Sequence, residues 1–587
     1  MIKIEDDDIK NIEEKFKVKF DKERKIAIKN LGDTDFVACA GSGKTTMMCA
    51  KIDILTNKQP IIGNKGIVVL SLTNVAIEQI KDKLGSNHKV FKYPNYCETI
   101  QKFVTKFVLN NWYNSKFKKK IEIIDNEFFH QKIREKLDFK KVLYLDRVNF
   151  LFEEVYTDGE DVYYDDVKIE DKKISKLSIK KNEEYINSIK AAKLELIAEG
   201  VFNYRDAFEI STKYLKNNIR IKEFIKQRFE ICFVDEMQDC RKWEKEFLEE
   251  IFSDICFQKI GDPNQQIYDE TYWKPTDAIT INNSIRNSVN IAEFAKKFEE
   301  TPNGMTGNIQ NGIKVKMLVY KCENILKVKE KYVGEIKKER LNEKERPTFK
   351  MIGKVAKRNL NGKKELLDFC DCTEEKTINI YNKLFLENFK KNKNNIVKTI
   401  VDMMYYLYKK IDKYNFEKVI NKEDFINRID SFIDKEDLYD KLKCNKEEIY
   451  EFSKIYSKNI LINIFTNKKY FIEIYNKVIE EVVSDNNVSE LIEDEIKIEV
   501  KTIAGVKGET HTATLVCETF YKNYDMEYII DNYIKQNKKN KTIIDLLHSL
   551  YVAFTRPTDM LCIAIREEVY NKFKEEIDAL NIEIINI

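Results

Sequence analysis

The nine residues Ala38 to Thr46, A-C-A-G-S-G-K-T-T, constrain this chain more than any other stretch. The preceding run, Asp35 to Cys39, is largely apolar and follows Gly32 and Asp33, which reads as a short buried strand. Gly41 and Gly43 supply a turn with little side-chain bulk, and Lys44-Thr45-Thr46 open an apolar helix through Met47, Met48 and Ile52. A strand, a glycine turn and a helix N-terminus in that order make a phosphate cradle. The backbone N–H groups of Ala40, Gly41, Ser42, Gly43, Lys44, Thr45 and Thr46 would face phosphate oxygens. Lys44 would reach the β- and γ-phosphates, and the Thr45 hydroxyl would ligate Mg²⁺. The general pattern begins with glycine where this chain has Ala38, so it is met only in part.

About two hundred residues later, Asp235 to Asp239 read D-E-M-Q-D. They follow Ile231-Cys232-Phe233-Val234, a continuous apolar run that fits a fully buried parallel strand ending in two carboxylates. An isolated Asp-Glu pair is usually a solvated turn. At the end of a buried strand, in a chain that already has a phosphate cradle, the pair reads as chemistry. Asp235 would hold Mg²⁺ through water, and Glu236 would orient and deprotonate an attacking water.

The chain has 587 residues, enough for two to four domains, and 43% hydrophobic with 12% aromatic residues suffices for packed cores. The start, Met1 to Lys10, is acidic, and no apolar run reaches membrane-spanning length. Twelve cysteines lie scattered, and the closest pair, Cys370 and Cys372, lacks the further ligands of a zinc site. Reduced thiols and a cytoplasmic setting, with no membrane partner, are the expectation. Net charge is +3, from 102 Lys+Arg against 99 Asp+Glu, so the whole chain carries no nucleic-acid footprint. Locally, Trp112 to Lys120 and Phe389 to Lys398 interleave aromatics with lysine, as a strand-tracking groove does; lysine-rich helix faces in water look the same. Of only seventeen glycines, Gly41, Gly43, Gly261, Gly505 and Gly508 fall within motifs.

The order of motifs resembles a superfamily 1 helicase of the UvrD/Rep/PcrA type, from about Phe20 to Ile565. Thr73-Asn74-Val75-Ala76 is similar to the family's T-x-T-N-x-A segment, and Thr99 to Phe103 to its T-x-H-S-F segment. Asp235 to Asp239 match D-E-x-Q-D, and Gly261 to Tyr268 match G-D-x-x-Q-x-I-Y. Ser284 to Asn287 resemble N-Y-R-S, Thr502 to Thr510 resemble T-x-H-x-x-K-G-L-E, and Leu550 to Arg556 match the last motif. The resemblance implies an α/β fold of two RecA-like parallel-sheet P-loop lobes with two mainly helical accessory insertions. It implies ATP with Mg²⁺, and single-stranded or partly duplex DNA as partner, travelled 3′-to-5′. Gln265 would sense the γ-phosphate, and Arg286 and Arg556 would come from the second lobe to stabilise charge on the transferred phosphoryl group. Gly508 and Glu509 would lie at the nucleotide. Thr73, Asn74, Thr99 and Thr502 would touch DNA, with Tyr268 and Trp273 stacking on bases.

Several positions depart from the pattern. Arg24 stands where the family's glutamine reads adenine, and Ile285 where a tyrosine stacks on the base, so relaxed preference for ATP over other triphosphates follows. Leu72 and Ala504 replace an aromatic and a histidine at DNA-contacting positions. Either Glu509 or Thr510 would meet the ribose.

The motifs divide the chain. Residues 1–95 and 205–285 would form the first lobe, with 96–204 an accessory insertion ending near Asn203 to Ala207. Within it, Tyr156 to Lys173 reads as a hairpin about Asp158-Gly159. The second lobe would comprise 286–360 and 497–587, with 361–496 a helical insertion. After the strand Met560 to Ile565 little chain remains, so strand cutting is not expected of it. The leading expectation is a translocase or helicase in DNA repair or anti-phage defence. The competing one is an ATP-gated DNA-end sensor that activates a separately encoded nuclease. The A-C-x-G-S-G-K-T and K-G-E-T-H segments are similar to those of helicase components of systems such as Gabija. An RNA substrate is a third reading.

Overall fold

The computed structural model describes residues 3–60, 62–136, 155–164, 167–168, 182–267, 273–302, 304–310, 312–354, 366–369, 489–493, 496–521 and 523–587. Tyr268, Cys370, Cys372, the Phe389–Lys398 run and nearly all of 361–496 lie outside them. The chain divides into two compact units. One is Met1–Ile313 with Lys539–Thr555, and the other is Lys314–Lys538 with Arg556–Ile587.

The first unit is built on a six-stranded sheet of β1 (Asp35–Ala38), β2 (Gly66–Ser71), β3 (Tyr96–Thr99), β4 (Phe229–Val234), β5 (Cys256–Gly261) and β6 (Ile279–Ile281). Its order is β6-β1-β5-β4-β2-β3, and every pairing is parallel. Strands covered on both faces need apolar side chains at successive positions. Phe36, Ile67, Val69, Ile231, Phe233 and Ile260 accordingly enter one core, while Val37, Val68, Leu70, Cys232, Val234 and Phe257 enter the other. Helices α1 (Asp6–Phe16), α2 (Lys22–Lys29), α3 (Lys44–Asn57) and α4 (Asn74–Leu84) belong to the first of these cores. Because all six strands run the same way, their C-terminal ends bring Cys39, Leu72, Ile100, Asp235 and Asp262 to one edge. Open parallel sheets bind ligands at that edge.

Behind the loop, Lys51 of α3 is buried and ties α2 to the sheet. Its ammonium donates to Ala27 O at 3.0 Å, to Asn30 O and to Gln258 Oε1 at 2.7 Å.

Within 96–204, the described part of the expected hairpin turns about Asp158-Gly159, and residues 169–173 lie outside the described residues. Val155–Thr157 pairs antiparallel with Val162–Tyr164, and Gly159 turns at φ +90°. It is fastened to the Tyr204–Asn217 helix, where Asp206 accepts from the Thr157 amide at 2.9 Å and pairs with Lys193 at 2.6 Å. Lys193 and Asp206 are both fully buried. The aromatics of Trp112–Lys120 pack inward. Tyr113 is buried and donates to Ala198 O, and Trp112 lies against Gly159. Asn114, Ser115 and the lysines of that run are exposed, whereas Trp112 and Phe117 are half-buried and spent on intramolecular packing.

The second unit holds a seven-stranded sheet of β7 (Lys316–Tyr320), β8 (Phe349–Gly353), β9 (Ser489–Glu493), β10 (Ile496–Thr502), β11 (His511–Cys517), β12 (Pro557–Arg566) and β13 (Glu583–Asn586). Its order is β9-β10-β8-β11-β12-β7-β13, parallel throughout except for the edge pair β9–β10. Each unit is thus a parallel α/β body, as two RecA-like lobes require.

The dividing points differ from the motif-based ones. Motif order places 286–313 and the helix Lys541–Phe554 in the second lobe, yet both fall in the first compact unit. The reason is packing. The amides of Ile285 and Arg286 donate to Gly41 O at 2.9 and 3.3 Å, and Phe554 packs on Phe294 and Phe298 at 5.1 and 4.9 Å between ring centres. Arg286 therefore belongs to the first unit and Arg556 to the second.

Candidate functional site

The phosphate loop follows β1 and opens α3. Gly41 and Gly43 sit at φ +70° and +76°, a region costly for residues with a Cβ, and Gly43 caps the helix. A Cβ on Gly41 would lie 2.5 Å from Arg286 Cβ and 2.7 Å from Ser284 Oγ, so the loop closes against the 283–288 strand with no room for a side chain. Lys44 is buried, its ammonium 3.4 Å from Ala38 O. Thr46, the third residue of α3, accepts from Lys83 of α4. The Ser42 hydroxyl oxygen is buried and has no hydrogen-bond partner among the described residues, which fits a group awaiting a ligand oxygen.

β4 delivers the two carboxylates. Asp235 is buried, its amide on Leu70 O at 3.1 Å, and its Oδ2 accepts from Thr45 Oγ1 at 3.0 Å. A hydroxyl and a carboxylate side by side at the end of the cradle are the hard oxygen donors that Mg²⁺ takes, so Thr45, with Asp235 through water, fits that ion. Burial raises the Asp235 carboxyl above the usual range and the charge of Glu236 adds to this, while Lys44 and the Thr45 hydroxyl oppose it. Among the described residues no cluster of three His, Cys, Asp or Glu side chains could hold a metal by itself. A two-ligand site completed by phosphate and water oxygens is the form the chain supports.

Glu236 adopts the left-handed conformation, φ 55° and ψ 44°, at the start of the Met237–Asp239 turn. A non-glycine residue held there signals a constraint imposed by its surroundings. Gln238 supplies one. Its Nε2 donates to Glu236 Oε2 at 2.6 Å and its Oε1 accepts from the Asp262 amide at 3.0 Å, which joins the ends of β4 and β5. Asp262 in turn accepts from Gln265 Nε2 at 2.7 Å. Burial raises the Asp262 carboxyl, opposed by the Lys44 charge. Arg286 is half-buried and donates to Thr555 O at 3.3 Å; burial lowers its pKa, opposed by Glu236. Within the first unit the structure thus brings together Lys44, Thr45, Asp235, Glu236, Gln265 and Arg286.

Arg24 is not placed to read a base. Its guanidinium is 2% exposed and bound to the Asp21 carboxylate and to backbone carbonyls. Trp273, expected to stack on bases, is buried in the core, its ring pressed on Gly261 and its amide held by Gln266 Oε1 at 3.1 Å. The glycine leaves a floor that only a flat ring fills. Gln238 and Asp262 go unremarked as working groups in the sequence, although both stand inside the quoted motifs.

At the same edge, Thr73 and Thr99 cap the helices beginning at Asn74 and Ile100, accepting from the Ala76 and Lys102 amides at 3.2 and 3.3 Å. Thr73 and Asn74 are exposed and Val75 is 67% exposed, whereas Thr99 is buried and Leu72 packs into the core.

In the second unit, Arg556 precedes β12, is buried, and donates to Glu509 O at 3.3 Å. The Glu509 carboxylate is engaged by Lys350 at 2.5 Å, Lys501 at 2.9 Å and His511 Nε2 at 3.2 Å. Burial raises its pKa, but the lysines outweigh that and hold it at about 2. Thr510 is exposed, and Gly508 turns at φ +83°. Thr502 Oγ1 accepts from the Gly505 amide at 3.2 Å, with Ala504 exposed beside it.

No described helix is long and apolar enough to cross a membrane. Residues 20–288 match the family model of the UvrD/REP helicase N-terminal domain. The chain is also similar to Protein Ycf2 of Physcomitrium patens, 25% identical over 189 residues. That match covers 32% of this chain and spans 8% of the length of that curated relative. The likeness to the UvrD/REP helicase N-terminal domain thus extends over residues 20–288, the stretch that carries the phosphate loop, both carboxylates and Arg286.

Proposed function

We propose that this chain is an ATP-dependent DNA translocase or helicase, stimulated by single-stranded DNA and moving 3′-to-5′, in DNA repair or anti-phage defence. The observation that carries the reading is the 3.0 Å approach of Thr45 Oγ1 and Asp235 Oδ2, with Glu236 beside them held by Gln238. Thr45, and Asp235 through water, would hold a Mg²⁺ ion, which when bound would neutralise charge on the phosphates. The loop amides, the Ser42 hydroxyl and Lys44 bind and orient the triphosphate. Glu236 accepts the proton of the attacking water, and Gln238 keeps its carboxylate turned to that task. Gln265 and Arg286 stabilise the charge that develops on the γ-phosphoryl group. Exposed Thr73 and Asn74 contact the DNA strand, whereas buried Thr99 serves as a helix cap.

A second reading draws support from buried Trp273 and from exposed Ala504. Both weaken the expected DNA grip, as suits an ATP-gated DNA-end sensor signalling to a separately encoded nuclease. One pair of assays decides. The helicase reading expects ATPase stimulation by single-stranded DNA, about tenfold or more, together with displacement of a strand from a 3′-tailed duplex. Stimulation without displacement favours the sensor, and no stimulation by DNA contradicts both.

A further inference from the structure

Arg24 occupies a place in α2 from which it reaches two backbone segments far away in sequence. Its Nε and Nη2 donate to Ser42 O at 2.9 and 2.7 Å, and Nη2 also donates to Asn283 O at 2.5 Å. Nη1 pairs with Asp21, the N-cap of the same helix, whose other oxygen accepts the Arg24 amide at 2.9 Å. Neighbours strengthen the clasp: Glu23 accepts the Asn282 amide at 2.9 Å, and Asp21 accepts from Asn283 Nδ2 at 3.4 Å. The strand so gripped is the one whose Ile285 and Arg286 amides return to Gly41 O. A closed circuit therefore runs from α2 to the phosphate loop, across to the 283–286 strand, and back to α2.

This circuit has a consequence for the triphosphate. The planar fork of a guanidinium can hold two carbonyls at once, which an ammonium or an amide cannot do with equal geometry. Drawing Ser42 O toward Arg24 turns that carbonyl away from the cradle, so the loop presents N–H groups and the Ser42 hydroxyl to an anion instead of a carbonyl dipole. The same fork fixes the backbone two and three residues before Ile285 and Arg286. Four of its five N–H groups are spent on protein partners and the side chain is 2% exposed, so the guanidinium is turned inward, away from any base. Ile285, 48% exposed beside Gly43, offers apolar surface with no hydrogen-bonding edge.

We infer that Arg24 is a positioning residue that shapes the phosphate loop and sets Arg286 on it, so that the site takes nucleoside triphosphates by their phosphates with the base unread. The inference rests on the triphosphatase reading above and assigns how that site selects its substrate. The test uses the full chain, with ATP, GTP and CTP as substrates and inorganic tripolyphosphate, which has no base, as competitor. Wild type turns over the three nucleotides at comparable kcat/KM. In Arg24→Gln and Arg24→Lys, KM for all three rises by a common factor of about ten or more. Their ratios stay within about twofold, and the inhibition constant of tripolyphosphate rises by that same factor. Melting curves check that the variants fold, and millimolar guanidinium partly restores a folded Arg24→Ala chain. Tripolyphosphate inhibition left unchanged while the ATP:CTP ratio shifts would make Arg24 a base reader and overturn the inference, as would wild-type kinetics in Arg24→Gln. A wild-type chain that neither hydrolyses a triphosphate nor binds tripolyphosphate would instead remove the underlying hydrolase reading.

Discussion

A methyl group at Gly261 would lie 2.3 Å from Gln238 Oε1 and 2.7 Å from the Trp273 ring, closer than real contacts allow. Gln238 cannot yield freely, because it bridges Glu236 and the Asp262 amide. Gly261→Ala should therefore cost about 1–3 kcal/mol of stability in urea unfolding, as overpacking does. It should also lower kcat for triphosphate hydrolysis while leaving the nucleotide KM within about twofold, because the disturbed group is Glu236 and not the loop. An unchanged kcat would mean that Gln238 does not hold the Glu236 carboxylate in its working position. The same few atoms separate what a residue's neighbours in sequence disclose from what they hide. Asp235 and Glu236 are legible because a buried strand must end somewhere polar. The burial of Trp273 is not, because it depends on Gly261 and Gln238 meeting the ring and each other from separate segments.

At the level of elements, a buried ion pair ties a helix and the hairpin of the 96–204 stretch to the helix that follows. Lys193 and Asp206 join the Asn182–Glu199 and Tyr204–Asn217 helices, and Asp206 also anchors the hairpin through Thr157. Burial raises the Asp206 carboxyl, opposed first by the Lys193 charge, so removing the lysine takes away its main compensating partner and leaves the Thr157 amide and Arg205. Lys193→Met should destabilise by about 3–5 kcal/mol, and Lys193→Met with Asp206→Asn should recover part of that loss. Chemical unfolding monitored at Trp112, which packs against the hairpin turn, reads both. A single variant within about 1 kcal/mol of wild type would show that the pair does not hold these elements together. Elements whose signal is local are readable from sequence: the β1–loop–α3 unit, the apolar run of β4, and the hairpin about Asp158-Gly159. Assignment of the 283–288 strand and the Lys541–Phe554 helix to a unit is not, because it rests on Gly41, Phe294 and Phe298, partners far away along the chain.

Across the whole molecule, two parallel α/β units carry the motif residues on different bodies. The first holds the loop, both carboxylates, Gln265 and Arg286, and the second holds Arg556 and Glu509. Motif order alone divides the chain so that Arg286 goes to the second body. Its backbone bonds to Gly41 assign it to the first, whereas Arg556 lies in the second. The central claim is that loop and carboxylates form one hydrolytic site, with Glu236 taking the proton of the attacking water. Glu236→Gln keeps the shape of that side chain and removes its basicity. Single-turnover hydrolysis of ATP, measured beside equilibrium binding of the same nucleotide, is the most direct test. The account predicts a fall in hydrolysis of about a hundredfold or more with binding kept within a few-fold. Hydrolysis at the wild-type rate would contradict it.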